Sequence, residues 1–455
     1  MDLELILTFI IQHKYIMLNT KKIINRLFSY VALIILITTF FALALVNCSA
    51  PTKKSESGSP EIDQAVTVGS DRLLSEFGHL IKGKKLALVT NHTGRLSDGT
   101  HLADTLFNYP DAELIVLFGM HFNIRSNDYS LPRDKEKDID TETGLTKYSL
   151  YGEIHKPTPE MLEDVEVIVF DIQEVGARFY EHINILGFIM EAAAENDIEL
   201  VVLDRPNPIN GLKMDGFITD DEFLYGFGAF AKVPIIHGMT MGELASLYNG
   251  EKMLRGELQA KLHVIEMVGW ERSMWFEETG QTWIKPSPNL PSFESLLAYT
   301  GTCLFEGLNV SEGRGTEKPF QYIGAPWVDH EQAALLLNDL NLKGVIFEAI
   351  TFTPQKMLFH GSPPILTGEE CKGIYVNIQD RDLFAPYKAG VAMVWAIHKL
   401  HPDKMEWNER TMNRLNGTRR LEKMIYDGTH PSEIFASWEE ELADFMEMGK
   451  GYFLY

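Results

Sequence analysis

Short apolar runs alternate with segments of helical periodicity along most of the chain. Four of the apolar runs have the length of a buried strand, and they occupy residues 86–90, 114–118, 165–170 and 200–203. Apolar residues recur at helical spacing around residues 101–107, 183–195 and 240–249. Because strands and helices alternate, we predict an α/β fold with a mostly parallel sheet that helices cover on both faces.

A proline-rich stretch divides this pattern. Three prolines within residues 286–291 break any regular element, so we place a domain boundary there and expect domains over residues 62–290 and 291–455. The second domain has mixed elements. It ends in a predicted helical tail over residues 432–446, for which Pro431 is a typical first residue.

The start of the chain has the pattern of an export signal. A basic segment at residues 21–26 precedes the uncharged residues 27–46, which is typical of a secretory signal. An apolar run of this length could also cross a bilayer as a helix. A start of translation at Met17 would give the signal its ordinary length.

A cysteine follows the apolar run. The sequence Leu-Val-Asn-Cys ending at Cys48 resembles a bacterial lipobox, although Asn47 stands where a small residue is usual. We therefore expect residues 1–47 to be a lipoprotein signal, Cys48 to be lipidated and residues 48–61 to form a polar tether. The expected location is the bacterial cell envelope, periplasmic or at the cell surface, with the membrane as a partner through the lipid anchor.

The composition excludes several classes of protein. A chain of 455 residues that is 45% hydrophobic and 23% charged buries a large core, which excludes wholesale disorder. With 64 acidic and 41 basic residues the net charge is -23, so nucleic acid is not an expected partner. The sequence has no CxxC or HExxH motif, and we expect no metal and no cofactor. Cys303 and Cys371 could pair in an oxidising compartment, and the sequence leaves this open.

Polar residues follow each predicted strand. Ligands of open α/β sheets bind at the carboxyl ends of the strands, where these residues would converge and form a site for a hydroxyl-rich ligand. Each residue also has a structural alternative, such as capping a helix or, for Arg178, pairing with Asp171. The candidates are Asn91, His92, Arg125, Asp171, Gln173, Glu174, Arg178, Tyr180, Asp204, Arg205 and Asn207.

Two further segments contribute candidates. His237 precedes a predicted helix whose Thr240 and Glu243 have the spacing of a capping box, and we take His237 as the functional member of this segment. The glycine-rich loop 306–316 lacks the motifs of a phosphate cradle. Its glutamates and arginine favour a carbohydrate ligand instead.

The chain also carries a long series of ordered motifs. They lie at residues 89–94, 143–145, 148–152, 171–173, 176–180, 204–208, 237–240, 286–289, 311–316, 319–320 and 324–327. Together they resemble the motifs of the exo-β-N-acetylmuramidases of the NamZ family (DUF1343), which are glycoside hydrolases. The resemblance runs from residue 69 to residue 455.

The resemblance implies a fold and an activity. The implied fold is a Rossmann-like parallel-sheet domain followed by a smaller α/β domain, with a substrate cleft between them. The implied activity removes N-acetylmuramic acid from the non-reducing end of peptidoglycan fragments during cell-wall turnover or recycling. From the matching motifs we take Asp171 and Glu312 as catalytic candidates, and Asn289 and Arg314 as substrate-binding candidates.

One position departs from the family pattern. His121 stands where the family has its proposed catalytic glutamate. A histidine can donate a proton, since its reference pKa is about 6.5, but neutral imidazole gives no negative charge to an oxocarbenium-like transition state. At the family's second carboxylate position the chain has Glu174, which could serve as a relocated acid.

Two hypotheses follow from this departure. The first is a muramidase that uses His121 or Glu174 as proton donor, and the second is a catalytically impaired paralogue that binds muropeptides or related amino sugars. Either would need a local cation for the lactyl carboxylate of the ligand, and the candidates are Arg178, Arg205 and Arg314. A nucleotide-binding enzyme is disfavoured because the glycine fingerprint is missing.

Overall fold

The computed structural model describes residues 65–120, 124–126, 137–226, 228–357 and 363–455. The chain from Ile62 to Tyr455 forms one compact unit. The predicted signal, lipidation site and tether at residues 1–61, and His121, lie outside the described residues. Within the described ranges, no helix is long and apolar enough to cross a bilayer.

A seven-stranded sheet lies at the centre of the first part of the molecule. The strands of this part are β1 (Lys85–Thr90), β2 (Glu113–Gly119), β3 (Lys137–Ile139), β4 (Thr146–Ser149), β5 (Val167–Asp171), β6 (Glu199–Leu203), β7 (Asp215–Ile218), β8 (Pro234–Ile236) and β9 (Lys261–Ile265). The order in the sheet is β3-β4-β2-β1-β5-β6-β9, and every neighbouring pair except β3 and β4 is parallel. Strands β7 and β8 form a separate antiparallel hairpin.

Helices cover both faces of this sheet. They are α1 (Gly69–Glu76), α2 (Leu102–Phe107), α3 (His182–Glu195) and α4 (Met241–Gly250). Leu86 and Leu88 of β1 pack into one apolar cluster with Leu73 of α1, whereas Ala87 and Val89 pack into a second cluster with α3 and α4. Because the strand is buried on both faces, its sequence is a continuous apolar run.

The predicted α/β fold with a mostly parallel sheet is confirmed. The four predicted strands correspond to β1, β2, β5 and β6, and the three predicted helices to α2, α3 and α4. Thr240 and Glu243 form the predicted capping box at the start of α4. Strands β3, β4 and β9 of this sheet were not predicted. β3 is exposed along its length, β4 is half-buried at alternate positions and β9 is mostly half-buried, so none forms a continuous apolar run.

The second part of the molecule has its own small sheet. Strands β10 (Tyr322–Ala325), β11 (Val345–Phe352) and β12 (Cys371–Ile378) are antiparallel, in the order β10-β12-β11. The helices of this part are α5 (Phe293–Thr302), α6 (His330–Asp339), α7 (Pro386–Leu400), α8 (Glu409–Asn416), α9 (Arg420–Tyr426), α10 (Pro431–Ala436) and α11 (Glu439–Gly449). Cys303 and Cys371 are buried and free, so the pairing that the sequence left open does not form.

The predicted helical tail is interrupted. It consists of α10 and α11, which are separated at Ser437 and Trp438. The Trp438 indole is fully buried at this break, where its Nε1 donates to Asp215 Oδ1 at 3.0 Å and its ring packs edge-on against Phe217. The burial of this large side chain accounts for the interruption, which a helical pattern alone does not reveal.

The two parts of the molecule share one apolar cluster, which includes Val175 of the first part and Leu296 of the second. Within the second part, α5 and α7 cross where both have a glycine. A Cβ atom on Gly301 would lie 1.8 Å from the carbonyl oxygen of Pro386, and one on Gly390 would lie 2.2 Å from that of Gly301. Backbone packs directly on backbone at this crossing, so a side chain at either position would force the helices apart.

We expect Gly301→Ala to lower the free energy of unfolding by about 1–3 kcal/mol or more, since rigid backbone is the neighbour that must move. Urea unfolding followed by tryptophan fluorescence measures the change. Gly451→Ala is the matched control, because a Cβ there meets no atom within 4 Å. Equal unfolding midpoints for the two variants would contradict the packing described for this crossing.

Candidate active site

The carboxyl ends of β1, β5 and β6 bring predicted site residues to one edge of the sheet. Thr90 at the end of β1 is paired with Asp171 at the end of β5. Asn91 and Gln173 follow these strands, and Arg205 follows β6, which is the next strand in the sheet. The parallel topology therefore places side chains from distant parts of the sequence next to one another.

A buried ion pair forms the floor of this edge. Arg205 Nε and Nη2 donate to the two carboxylate oxygens of Asp171 at 2.5 and 2.9 Å, and Asp171 is fully buried. Nη2 also donates to Ser70 Oγ at 3.1 Å and to the carbonyl oxygen of Arg95 at 2.8 Å. The bidentate geometry fixes the guanidinium plane, so Asp171 positions Arg205.

A pocket of about 110 Å³ opens beside this ion pair. Such a pocket, with apolar walls and a few convergent polar groups, is the usual form of a small-molecule site. Its polar wall includes Thr93, Arg95, Gln173 and Arg205, and its apolar wall includes Leu96, Phe276 and Trp283.

A hydrogen-bond network connects the pocket to further candidates. Thr93 N and Oγ1 donate to Asn91 Oδ1 at 2.9 and 2.5 Å, and Gln173 N donates to Thr93 Oγ1 at 3.1 Å. His182 Nδ1 donates to the carbonyl oxygen of Gln173 at 2.9 Å, which leaves Nε2 as an acceptor facing Asn91 Nδ2 at 3.5 Å. Burial lowers the pKa of His182 to about 3, so the ring is neutral.

The proline-rich segment closes over this network. His92 Nε2 donates to the carbonyl oxygen of Lys285 at 2.8 Å, and Tyr180 Oη donates to that of Pro286 at 3.0 Å. The Tyr180 ring also meets the His182 ring edge-on, with the centroids 4.6 Å apart. Burial lowers the pKa of His92, which keeps its ring neutral. His92 and Tyr180 thus hold the segment against the strand ends.

The glycine-rich loop brings Glu312 and Arg314 together. Arg314 Nη1 lies 3.4 Å from Glu312 Oε1, and Arg314 Nη2 pairs with Glu306. Glu312 is only 3% exposed, and this burial raises the pKa of its carboxyl group despite the neighbouring Arg314. A carboxyl group with a raised pKa keeps its proton closer to neutral pH, which is the property of a general acid.

A row of aromatic rings connects this loop to the strand-end network. Phe320, just beyond the loop, meets Tyr299 at a centroid distance of 4.8 Å, and Tyr299 meets Tyr180 at 5.9 Å. Since Tyr180 also contacts His182, the row extends from the loop to the ends of the strands. Glu312 and Asn91 therefore belong to one continuous set of contacts.

Comparisons with known proteins identify the family. The family model for the N-terminal part of the exo-β-N-acetylmuramidase NamZ matches residues 86–294, and the model for its C-terminal part matches residues 297–455. The chain is 38% identical over 417 residues to the peptidoglycan β-N-acetylmuramidase NamZ of Bacillus subtilis strain 168, which is 91% of this chain and 97% of that protein. The chain belongs to the NamZ family.

Solved structures agree with this assignment. A DUF1343 family protein from Bacteroides fragilis NCTC 9343 superposes with a TM-score of 0.78 at 33% identity, over 86% of this chain and 99% of that one. A second protein of this family from the same strain gives a TM-score of 0.69 at 30% identity with the same coverage. The predicted NamZ membership is confirmed, and so is the prediction of a glycoside hydrolase.

Arg178 is one motif residue of this family member that lies in the interior. Its side chain is fully buried and donates to the carbonyl oxygens of Phe217, Val233 and Asn416. Burial lowers the pKa of Arg178 to about 10. The prediction of a substrate contact is not supported, because these bonds join the β7–β8 hairpin to α8 and no part of the side chain reaches solvent.

Glu174 and His237 form a second interior pair. His237 Nε2 lies 3.3 Å from Glu174 Oε2, and both residues are at most 1% exposed. His237 Nδ1 accepts from Met239 N at 3.2 Å, which places the ring proton on Nε2. Neither residue lines the pocket, so the structure places both beneath the site surface.

Asp204 and Asn207 are also fully buried. The Asp204 carboxylate accepts from Gly242 N at 2.8 Å, from Thr240 Oγ1 at 2.7 Å and from Tyr455 Oη at 2.7 Å. Asn207 Nδ2 donates to a backbone carbonyl that precedes α4. Both residues were predicted to contact a ligand. Instead, they hold the first turn of α4, and the segment around Tyr455, against the end of β6.

Arg125 and Asn289 differ in the partners of their polar side-chain atoms. Arg125 forms ion pairs with Asp140 at 2.7 Å and Asp104 at 2.8 Å, so its charge is balanced by these two carboxylates. Asn289 is 6% exposed, and its Oδ1 accepts no hydrogen bond from the part of the chain that the structure describes. Asn289 thus retains an acceptor for a ligand, whereas Arg125 is engaged.

Metal-ligating side chains do not cluster in the described residues, and the start of α2 has a side-chain cap. No group of three or more His, Cys, Asp or Glu side chains among them could hold a metal ion. The start of α2, where a Rossmann fold would bind phosphate, is capped by His101, whose Nδ1 accepts from Ala103 N at 3.2 Å.

Three residues of the site, Arg95, His182 and Trp283, were not predicted from the sequence. Arg95 follows the motif at residues 89–94 directly, so its place just beyond a strand end was the available signal. His182 opens α3, and its contact with Asn91 joins positions 91 residues apart. Nothing in the spacing of His182 or Trp283 distinguishes them from residues of the core.

The buried carboxyl group of Asp204 predicts a specific pH dependence of stability. Burial raises its pKa from 3.8 to about 7, so the folded protein binds a proton that the unfolded chain releases above about pH 4. Stability from this group is complete below pH 4 and is lost as the pH rises to about 7. We expect Asp204→Asn to remove a slope of up to about 1.4 kcal/mol per pH unit, measured by urea unfolding from pH 4 to pH 7.

Asp197→Asn supplies the matched control, because it removes an exposed carboxylate whose side chain is 84% accessible. The same flattening of the profile in both variants would contradict a special role for Asp204.

Proposed function

We propose that this chain hydrolyses the glycosidic bond of N-acetylmuramic acid at the non-reducing end of peptidoglycan fragments, as an envelope-anchored enzyme of cell-wall turnover or recycling. The observation that carries the proposal is the complete strand-end network of Asn91, Thr93, Gln173, Asp171 and Arg205 in a member of the NamZ family. The network presents amide and guanidinium groups beside an open pocket, which suits a hydroxyl-rich ligand.

Cleavage of a glycosidic bond requires a proton for the leaving oxygen. We propose Glu312 as the donor, because its buried carboxyl group has a raised pKa and lies on the loop next to the aromatic row. Glu174 is less suited, since its Oε2 accepts from Gly176 N and lies 3.3 Å from His237 Nε2. His121 occupies the position of the family's proposed catalytic glutamate and is the alternative donor that the experiment must separate.

We expect Glu312→Gln to lower kcat by about 10²–10⁴-fold, since the amide cannot protonate the leaving group. The assay follows release of N-acetylmuramic acid from the N-acetylmuramyl-N-acetylglucosamine disaccharide by the full chain in mild detergent. In the unsubstituted protein, activity falls as the pH rises through the raised pKa of Glu312, because only the protonated acid is competent.

Glu317→Gln is the matched control, since Glu317 is an exposed residue directly after the same loop. Full activity of Glu312→Gln combined with loss of activity in His121→Ala would assign the donor role to His121. Binding of the disaccharide without turnover in the unsubstituted protein would favour the alternative, a catalytically impaired muropeptide-binding paralogue.

The proposed location depends on the amino-terminal sequence. A basic segment, an uncharged apolar run and the lipobox-like sequence at Cys48 support export and lipidation. The compact unit begins at Ile62, so residues 48–61 have the length and polarity of a tether. We propose that the chain is lipid-anchored in the bacterial cell envelope.

Growth of expressing cells with an alkyne-tagged fatty acid tests the anchor. We expect label on the unsubstituted chain and loss of label in Cys48→Ala, because the Cys48 thiol is the proposed attachment point. Cys303→Ala retains a thiol at residue 48 and serves as the control. An unlabelled chain, or label that persists in Cys48→Ala, would exclude lipidation at this position.

A further inference from the structure

The pocket at the strand ends contains two guanidinium groups. In Arg205, Nε and Nη2 are engaged, whereas Nη1 makes no hydrogen bond to any residue that the structure describes. Arg95 donates from Nε to the carbonyl oxygen of His92, from Nη1 to that of Gly99 and from Nη2 to that of Arg125, at 3.2, 2.9 and 3.4 Å. Two of the five N–H groups of Arg95 remain for a ligand.

The side chains around the pocket carry an excess of positive charge. Asp171 balances Arg205, but Arg95 forms no ion pair with a carboxylate in the described part of the chain. The nearby Asp71 accepts two hydrogen bonds from Ser97, at 2.9 and 2.5 Å, and is engaged there. The pocket therefore carries a local positive charge in a protein whose net charge is -23, which favours an anionic ligand.

The other arginines of the candidate site are already occupied. Arg178 is fully buried on backbone carbonyls, and Arg314 is paired with Glu306 and Glu312. Neither has a guanidinium edge that opens into the pocket. Of these four arginines, Arg95 and Arg205 are thus the pair that can meet a ligand carboxylate.

The walls of the pocket suit a short acidic substituent. The apolar side chains of Leu96 and Phe276 line the same pocket and suit the carbon atoms of such a substituent.

We infer that Arg95, supported by Arg205, binds the carboxylate of an acidic ether substituent on an amino sugar and so selects N-acetylmuramic acid over N-acetylglucosamine. The inference rests on the proposed function, because the lactyl group is the acidic substituent of that substrate. The specificity resides in a residue whose only bonds within the described chain are to backbone carbonyls.

Binding titrations with two free sugars test this assignment. N-acetylmuramic acid and N-acetylglucosamine differ by the lactyl ether alone, and the full chain in mild detergent is titrated with each. We expect the unsubstituted protein to bind the acidic sugar about 10- to 100-fold more tightly, the usual range for a charge-assisted pair of hydrogen bonds. Arg95→Gln should lose this preference and keep its affinity for N-acetylglucosamine.

Two further variants distinguish the loss of the Arg95 charge from a general effect on folding. Arg95→Lys keeps the charge without the planar fork and should retain part of the preference. Arg419→Gln removes a surface arginine that pairs with Glu222 and Glu409, and it should leave both affinities unchanged. The methyl ester of N-acetylmuramic acid should bind the unsubstituted protein no better than N-acetylglucosamine, a test that needs no substitution.

An unchanged preference in Arg95→Gln, or tight binding of the methyl ester, would overturn the assignment. An equal loss of affinity for both sugars in Arg95→Gln would overturn the assignment too. Arg95 would then stabilise the loop after β1 and would not bind the carboxylate. Selective, Arg95-dependent binding without any hydrolysis would uphold the carboxylate site while the proposed hydrolysis fails.

Discussion

The ion pair between Asp171 and Arg205 holds the strand-end edge together. It links the ends of β5 and β6, and the bonds from Arg205 to Ser70 and to the Arg95 carbonyl add α1 and the loop after β1. Burying two charges costs solvation energy, which is recovered only with good geometry and additional hydrogen bonds. Both conditions hold at this pair. The pocket floor and the placement of Arg95 therefore depend on it.

The network around this ion pair contains two histidine rings that stay neutral near neutral pH. His182 and His92 are neutral because burial lowers the pKa of each ring. Their hydrogen bonds to backbone carbonyls define which nitrogen carries the proton. The proposed proton donor with a raised pKa is a separate carboxyl group, Glu312, whose burial causes the shift.

Much of the fold could be predicted from the local pattern of apolar and polar residues. Strands β1 and β5 are buried on both faces, so their apolar runs are unambiguous, and the Thr240–Glu243 capping box depends only on a spacing of three residues. The direction in which individual side chains point could not be predicted from this pattern. Arg178 follows a strand end as Arg205 does, yet it turns inward to carbonyls more than 30 residues away in sequence. A position near a strand end limits where a residue lies but not which way its side chain points.

The bond between Asp204 and Tyr455 joins residues 251 positions apart. At roughly 5–20 residues per second of synthesis, the partner of this carboxyl group follows about 10–50 s after Asp204 itself. During that interval the Asp204 carboxyl group lacks its Tyr455 donor, and Arg178 likewise lacks the carbonyl of Asn416, 238 residues later. The first part of the molecule thus cannot reach its final structure while the ribosome is still making the second.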